Sequence, residues 1–184
     1  MNAQLRPAER KELLLGCSAD GPTTRKKVCS WEPKIPADWT NLVTLDMTAE
    51  HKPDVVHDLE ILPYPFADNE FDEVHAYEVL EHTGAQGDWR FFFAQFTELH
   101  RIIKPDGYLV GSCPLWDGVW AWSDPGHRRI ISRESFGFLD QRFYQDQVGK
   151  SSATDYRPYY KVSFELIDYK ERGPQFFFVL QAKK

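Results

Sequence analysis

The stretch LLLGCSADG, residues 13–21, combines two signals that together indicate the fold. It opens on a short apolar run, which is typical of a buried strand, and Gly16 ends that run. The small residues that follow allow a backbone to pass close to a ligand. The stretch therefore predicts a buried strand whose carboxyl end carries a ligand-facing loop.

Three further apolar runs follow and indicate parallel strands. They are NLVTLD at 41–46, PDVVHDL at 53–59 and FDEVHAYEVLEH at 71–82. The first two end in an acid, Asp46 or Asp58, and the third passes into a polar segment. Because parallel α/β sheets bind ligands at the carboxyl ends of their strands, these acids are expected at the ligand-binding edge.

One long helix is predicted in the middle of the chain. The segment DWRFFFAQFTELHRII at 88–103 repeats apolar residues at the spacing of one helix face, so that Phe92, Phe93 and Phe96 are expected in the core. The KPDG turn that follows ends the helix. The segment YLVGSCP at 108–114 is then expected to form the fifth strand.

The last third of the chain predicts a short helix and a closing hairpin. Ser132 is a suitable N-cap for the helix. The tail at 159–184 contains two strand-like runs joined by ERGP, which indicates antiparallel strands at one sheet edge. We expect a single α/β domain over residues 1–184. Its least regular regions, where specificity is expected to reside, are 19–40, 114–131 and 140–158.

The composition disfavours several classes of protein. The chain has 184 residues, 42% of them hydrophobic, and a net charge of −6, which fits a globular domain and counts against a nucleic-acid partner. Cys17, Cys29 and Cys113 form no CxxC pair, so no disulfide framework is indicated, and no feature demands a metal. Without a membrane-spanning run or the apolar core of a signal peptide, a soluble cytoplasmic protein with no membrane partner is expected.

The ordered motifs resemble those of the class I S-adenosylmethionine-dependent methyltransferases, in particular the small, methyltransferase type 11-like members. They are the loop at 13–21, the two strand-end acids, ILPYPFADNEFDEVHAYEVLEH at 61–82 and LHRIIKPDGYLVGSCP at 99–114. The resemblance implies a Rossmann-like fold with a mostly parallel seven-stranded sheet, a C-terminal antiparallel hairpin and helices on both faces. It also implies S-adenosyl-L-methionine as the cofactor.

The same resemblance implies which residues bind the cofactor. Ser18 and Asp20 stand where the family's GxGxG loop has glycines, and the proline-broken stretch 22–39 replaces the family's next helix. Asp46 would accept both ribose hydroxyls or only cap its turn, and Asp58 would contact adenine or act as a turn acid. The implied cofactor-binding residues are Gly16, Cys17, Ser18, Asp46, Met47, Asp58, Leu59, Tyr77 and Glu78.

Candidate residues for the methyl acceptor come mainly from the loop after the fifth strand. His127, in WSDPGHRRIIS, is the candidate catalytic base, because an imidazole titrates near neutrality. The residues expected to bind the acceptor are Glu81, His82, Trp122 and Arg128. The alternatives are a surface histidine, a solvated arginine and tryptophans that pack in the core.

These residues predict a methyltransferase that acts on a small-molecule, sugar or nucleotide-type acceptor. A non-catalytic domain that keeps the fold and serves as an interaction or scaffold protein is the alternative from another class. A nucleic-acid methyltransferase is a further alternative, disfavoured by the acidic charge and by the lack of a DPPY- or NPPY-like motif. Aromatic residues at 114–122 or 176–178 would suit a homodimer interface.

Overall fold

Seven strands form one sheet in the computed structural model, which describes residues 10–19, 25–29 and 34–184. Their bounds are β1 Glu12–Leu15, β2 Leu42–Asp46, β3 Val55–Val56, β4 Phe71–Tyr77, β5 Ile103–Pro114, β6 Ser163–Arg172 and β7 Gln175–Lys183. The order across the sheet is β3-β2-β1-β4-β5-β7-β6. The pairs among β1 to β5 are parallel, and β6 and β7 add an antiparallel hairpin beside β5. The predicted mixed sheet is confirmed.

The parallel pairing brings three carboxyl ends together. Leu15, the last residue of β1, is in register with Leu45 of β2 and with Ala76 of β4. The segments that begin at Gly16, Asp46 and Tyr77 therefore leave the sheet at the same edge, where sheets of this kind bind ligands.

The predicted long helix is present as α1, Trp89–Ile102. Asp88 is its N-cap, and the carboxylate accepts a hydrogen bond from the backbone N–H of Phe91 at 3.0 Å. The apolar residues that α1 buries in the main core are Phe93, Phe96, Leu99 and Ile102. Each of these side chains contributes roughly 1.5–3 kcal/mol by leaving water, so this face holds α1 against the sheet.

The turn predicted between this helix and the fifth strand lies inside the strand instead. β5 begins at Ile103, directly after α1, and its register against β4 shifts. Phe71 is paired with Ile103, whereas Glu73 is paired with Tyr108. The predicted boundary was wrong because turn residues can also be accommodated within a strand as a bulge.

Three short helices follow β5, namely α2 Trp120–Ser123, α3 Arg133–Gly137 and α4 Gln141–Gln147. α3 confirms the helix predicted after Ser132, whose backbone N–H donates to the hydroxyl of Ser135 at 3.2 Å. α4 lies in a region predicted to be irregular, and Asp140 caps it by accepting the N–H of Arg142 at 2.9 Å. Only Tyr144 of α4 is buried, so no helical periodicity indicated it. No helix in the described part of the chain is long and apolar enough to cross a membrane.

The aromatic run at 176–178 contributes to the main core. Phe178 packs against Phe136 of α3 with ring centroids 4.6 Å apart, and Phe176 is buried in the same cluster. These two rings therefore stabilise the docking of α3 on the hairpin, and they are not exposed as a dimer surface.

The opposite face of the central strands carries a buried cluster of charged groups. Glu12 of β1 and Glu73 of β4 are fully buried and directly paired in register. The Nζ of Lys27 lies between them, 2.6 Å from Oε2 of Glu73 and 3.3 Å from Oε1 of Glu12. Residues 25–29, within the proline-broken stretch, therefore cover this face through ion pairs and without helix.

The buried His75 of β4 belongs to the same cluster. Its Nε2 lies 2.9 Å from Oε2 of Glu73, and its Nδ1 lies 2.8 Å from the hydroxyl of Tyr77. Burial lowers the pKa of His75 below its ordinary value, although the neighbouring Glu73 carboxylate acts in the opposite direction. Folded His75 therefore resists protonation more than the same residue in the unfolded chain.

We expect the protein to lose stability in mild acid for this reason. As the pH falls below about 6.5, unfolded His75 takes up a proton that folded His75 refuses, which lowers the free energy of unfolding by up to about 1.4 kcal/mol per pH unit. Urea denaturation on both sides of that pH measures the loss. His75→Gln should lose less stability than the wild type over the same pH interval, whereas His57→Gln should lose as much as the wild type. If the free energy of unfolding changes equally with pH in all three proteins, His75 is not the cause of the acid sensitivity.

Candidate functional site

A cleft of about 460 Å³ opens at the carboxyl ends of β1, β2 and β4. The predicted site residues that line it are Gly16, Ser18, Asp46, Met47, Asp58, Leu59, Glu78, His82 and Arg128. Six further residues that line it were not predicted, namely Leu45, Thr48, His57, Glu60, Val79 and Thr83. Each of these six is the sequence neighbour of a predicted residue.

Gly16 determines how closely the first loop approaches the rest of the cleft. Its φ of +60° lies in the left-handed region that favours glycine. A Cβ at this position would lie 2.5 Å from Cγ2 of Val79, which is far inside van der Waals contact. A glycine is therefore required here. Asp20 and Gly21, which follow in the same loop, lie outside the described residues.

Asp46 connects the ends of β1 and β2. Its carboxylate accepts the N–H of Ser18 at 3.0 Å and the N–H of Thr48 at 2.9 Å, and Nδ1 of His51 lies 3.2 Å away. Burial raises the pKa of Asp46, but the hydrogen bonds from Thr48 and Ser18, together with the nearby His51 ring, outweigh burial and keep the pKa below its ordinary value. Asp46 is therefore an ionised carboxylate that both caps its turn and lines the cleft.

Two residues of the cleft have a positive φ although they are not glycine. Ser18 has a φ of +55° and Glu78 has a φ of +53°. Such a conformation costs roughly 1–3 kcal/mol per residue and persists only where the surroundings impose it. The Ser18 N–H bonds to Asp46, and Glu78 accepts a hydrogen bond from the hydroxyl of Ser112 at 2.7 Å. These two residues lie where β1 and β4 lead into the cleft.

The far wall of the cleft is a chain of polar contacts after β3. Asp58 accepts the N–H of Glu60 at 2.9 Å, so it acts as a turn acid while it lines the cleft. The carboxylate of Glu60 accepts the N–H of Gly84 at 2.7 Å and pairs with Arg128. Arg128 therefore lies on the first cleft in an ion pair and not on the acceptor side, where the sequence placed it.

Cys17 and Tyr77 do not line this cleft. Cys17 is buried behind the loop, with its thiol 3.5 Å from the carbonyl oxygen of Ser18. Tyr77 shares the sheet face of Glu73 and His75, because side chains alternate along a strand, and its hydroxyl accepts the N–H of Cys29 at 3.2 Å. Tyr77, which the resemblance placed among the cofactor-binding residues, is therefore on the opposite face of the sheet.

A second cleft of about 290 Å³ adjoins the first. It is lined by Glu78, His82, Pro114, Trp120, Asp124, His127, Pro174 and Gln175. Glu78 and His82 line both clefts, so the two cavities meet at the end of β4. The candidate base His127 thus lines a cleft adjacent to the first one.

The tryptophan of the second cleft is Trp120 and not the predicted Trp122. Trp122 is 72% exposed, and its indole N–H donates to the carbonyl oxygen of Trp116 at 3.0 Å. Both tryptophans belong to the one-turn helix α2, where residues two positions apart point in different directions. The sequence located the segment correctly, but only the path of the helix determines which ring faces the cleft.

Glu81, His82 and His127 form a cluster beside the second cleft. Glu81 is only 2% exposed, and no hydrogen bond of standard geometry reaches its carboxylate oxygens from the described residues. Burial raises the pKa of Glu81 to about 8. The His127 Nε2 lies 4.0 Å from Oε1 of Glu81 and 3.8 Å from Oδ2 of Asp124, and the His127 ring packs against that of His82 with centroids 4.7 Å apart.

Comparison with known protein families gives a match in the middle of the chain. Residues 39–111 match the family described as "Methyltransferase domain". This segment contains the acids Asp46 and Asp58 and the end of β4 with Glu78, whereas Gly16 and His127 lie outside it. No curated protein is significantly similar in sequence to this chain.

Solved structures share the fold over nearly the whole chain. The N-methyltransferase NodS from Bradyrhizobium japonicum WM9 has a TM-score of 0.54 at 11% identity, over 95% of this chain and 86% of that one. A SAM-dependent methyltransferase from Archaeoglobus fulgidus has a TM-score of 0.52 at 15% identity, over 95% and 86%. A putative methyltransferase of Haloferax volcanii, in complex with the methyltransferase activator Trm112, has a TM-score of 0.56 at 12% identity, over 95% and 82%. At these identities the likeness establishes the fold.

Proposed function

We propose, since the chain belongs to the class I S-adenosylmethionine-dependent methyltransferases, that its 460 Å³ cleft binds the methyl donor and its 290 Å³ cleft the methyl acceptor. The observation that carries this proposal is that the two clefts are adjacent, because Glu78 and His82 line both. A donor held in the first cleft and an acceptor held in the second would face each other at the end of β4.

The residues of the first cleft fit S-adenosylmethionine. The missing side chain of Gly16 allows the backbone to approach the amino-acid end of the cofactor. Asp46 is ionised, and a carboxylate has four lone-pair sites, so it can accept from ribose hydroxyls as well as from the loop. Asp58 and Leu59, at the end of β3, would contact the adenine. We assign these roles as proposals for this chain.

The second cleft supports a small-molecule acceptor, such as a sugar or a nucleotide-type compound with a hydroxyl group. Its volume suits one small ring system, and Pro114, Trp120 and Pro174 offer apolar surface on which a ring can lie. The net charge of −6 argues against a nucleic-acid polymer, which would require a basic surface.

The cofactor, when bound, supplies a methyl group on a positively charged sulfur. The protein's contribution is to hold the acceptor oxygen in line with that carbon, which can account for roughly 7–11 kcal/mol of the barrier. Held between Gly16 and Asp46, the cofactor would supply the methyl carbon, and its sulfur would keep the electron pair of the broken bond. His127, which lines the acceptor cleft, would take the hydroxyl proton.

Calorimetric titration of the purified chain with S-adenosylmethionine and S-adenosylhomocysteine tests the donor site. We expect one binding site of micromolar affinity. A release assay for S-adenosylhomocysteine, run with a panel of small hydroxylated compounds, then tests the acceptor site. If the chain does not bind either ligand at millimolar concentration, the scaffold alternative replaces the proposal.

Asp46→Asn is expected to weaken S-adenosylmethionine binding about tenfold to 100-fold. The amide removes the charge and one acceptor, and a hydrogen bond to a charged group contributes about 1.5–3 kcal/mol. Asp54→Asn is the matched control, since Asp54 also accepts a backbone N–H, from Thr44 at 2.8 Å, but does not line the cleft. Equal affinities for Asp46→Asn and the wild type would refute the ribose assignment.

A further inference from the structure

The cluster of Glu81, His82 and His127 has the spacing of a metal site. One ligand atom from each residue can be chosen so that all three lie within 4.8 Å of one another. Donors around a bound transition metal, each about 2.0–2.2 Å from the ion, are roughly 3–4 Å apart, so small side-chain rotations would close the site. We propose that these three residues bind a divalent transition-metal ion at the junction of the two clefts.

The carboxyl group of Glu81 is buried beside Cys113 and Arg129, and neither makes a hydrogen bond of standard geometry to it. It is 2% exposed, and neither of its oxygens has a hydrogen-bond partner in the described part of the chain. The neighbouring Arg129 donates to the carbonyl oxygen of Leu80, to Thr83 and to Gln95, and none of its hydrogen bonds reaches Glu81. Since a buried carboxyl group without partners is costly, a cation bound to these oxygens would stabilise the folded site.

The ring of His82 is prepared to act as a ligand. Its Nδ1 lies 3.0 Å from the carbonyl oxygen of Gly126, and a carbonyl can only accept, so Nδ1 carries the proton. In the neutral ring the lone pair is then on Nε2. A backbone carbonyl that orients a histidine in this way is the usual support of a metal-bound imidazole. A Cβ on Gly126 would lie 3.2 Å from that nitrogen, so the glycine permits the close contact.

His127 completes the set from a distant loop. Its Nε2 is directed toward the carboxylates of Glu81 and Asp124, at 4.0 Å and 3.8 Å. Its Nδ1 is buried without a hydrogen-bond partner among the described residues. Nothing else that the structure describes holds this ring in one tautomer, whereas coordination of a metal would.

The donor set selects the kind of metal. Two imidazoles and one carboxylate suit Zn²⁺, Fe²⁺, Co²⁺ or Mn²⁺, whereas Mg²⁺ and Ca²⁺ prefer oxygen ligands. Three protein ligands leave coordination positions open, as in catalytic sites. His82 and His127 line the acceptor cleft, so an open position would be accessible from it.

A role of this metal in methyl transfer rests on the proposed function. An acceptor hydroxyl bound to the ion would lose its proton more readily, because a divalent metal lowers the pKa of a coordinated oxygen. With the ion bound, His127 would act as a ligand in place of its role as the base, and the proton would pass to solvent. Such a metal site would suit an acceptor that presents an oxygen nucleophile.

Titration of the EDTA-treated full chain with Co²⁺ tests the site independently of activity. We expect one equivalent to bind with visible absorption bands of an imidazole-ligated ion, at a dissociation constant of about 1 μM or below, and to be displaced by Zn²⁺. Glu81→Gln and His127→Gln should each weaken binding more than about 100-fold, beyond the usual effect of losing an outer-shell partner. His57 lines the first cleft and is not part of the cluster, so the control variant His57→Gln should bind Co²⁺ like the wild type.

Two outcomes would overturn the proposal. The first is an absence of stoichiometric Co²⁺ binding, and the second is binding that Glu81→Gln leaves unchanged. Glu81→Gln keeps the size of the side chain and places a neutral group at a buried position, so it is expected to fold. Titration of the same preparations with S-adenosylmethionine separates the two proposals, because donor binding without metal binding refutes the metal site alone.

Discussion

Gly16→Ala is expected to lower the affinity for S-adenosylmethionine roughly 100-fold, which corresponds to about 2.8 kcal/mol. Two effects combine at this residue. The φ of +60° costs a residue with a Cβ roughly 1–2 kcal/mol, and the added Cβ would lie 2.5 Å from Cγ2 of Val79. Either the loop or Val79 must move to relieve the contact, and both line the cleft. The shape of the proposed donor site is therefore lost together with some stability.

Calorimetric titration measures the change, and the chain contains a matched control. Gly173, in the turn between β6 and β7, has the same φ of +60°, but a Cβ there meets nothing within 4 Å. Gly173→Ala should therefore show the loss in stability that follows from the backbone alone and retain wild-type affinity. If both variants bind the cofactor like the wild type, the 460 Å³ cleft is not the donor site.

Lys27→Met is expected to lower the free energy of unfolding by about 3 kcal/mol or more, a large part of the total for a domain of this size. Lys27 is 1% exposed and lies between the buried carboxylates of Glu12 and Glu73. Methionine fills similar space but leaves these two charges without their shared cation. The expected loss is at the lower end for a broken buried pair, because Arg10 still pairs with Glu73.

Chemical denaturation of the variant measures this loss, with Lys11→Met as the control. Lys11 pairs with Glu70 at 2.6 Å, but the two side chains are 35% and 22% exposed. An ion pair in contact with water contributes about 0–1 kcal/mol, so Lys11→Met should be nearly neutral. Similar losses in the two variants would show that Lys27 does not compensate buried charge.

Much of the lining of the first cleft could be predicted from local patterns. The apolar run at 13–15 and the acids Asp46 and Asp58 are signals within a few residues, and the parallel pairing brings their ends to one edge. Tyr77 shows the limit of this approach. The period of a strand places it on the face of Glu73 and His75, away from the cleft, although it is the last residue of β4.

The lining of the second cleft, and the place of Arg128, depend on contacts between distant residues. The choice of Trp120 over Trp122, and the ion pair that places Arg128 on the first cleft, follow from the path of the loop after β5. The contact of His127 with Glu81 likewise joins that loop to the end of β4. No spacing in the sequence contains this information.

The sequence by itself determined the α/β fold, the long helix, the closing hairpin and the edge of the sheet that forms the first cleft. It could do so because periodicity, turn residues and caps act within one element. Only the tertiary structure decided which distant charges are buried together, as in Lys27 with Glu12 and Glu73, and Glu81 with His127. The physical reason is that such pairs depend on strand register and loop path, which arise when the whole core packs.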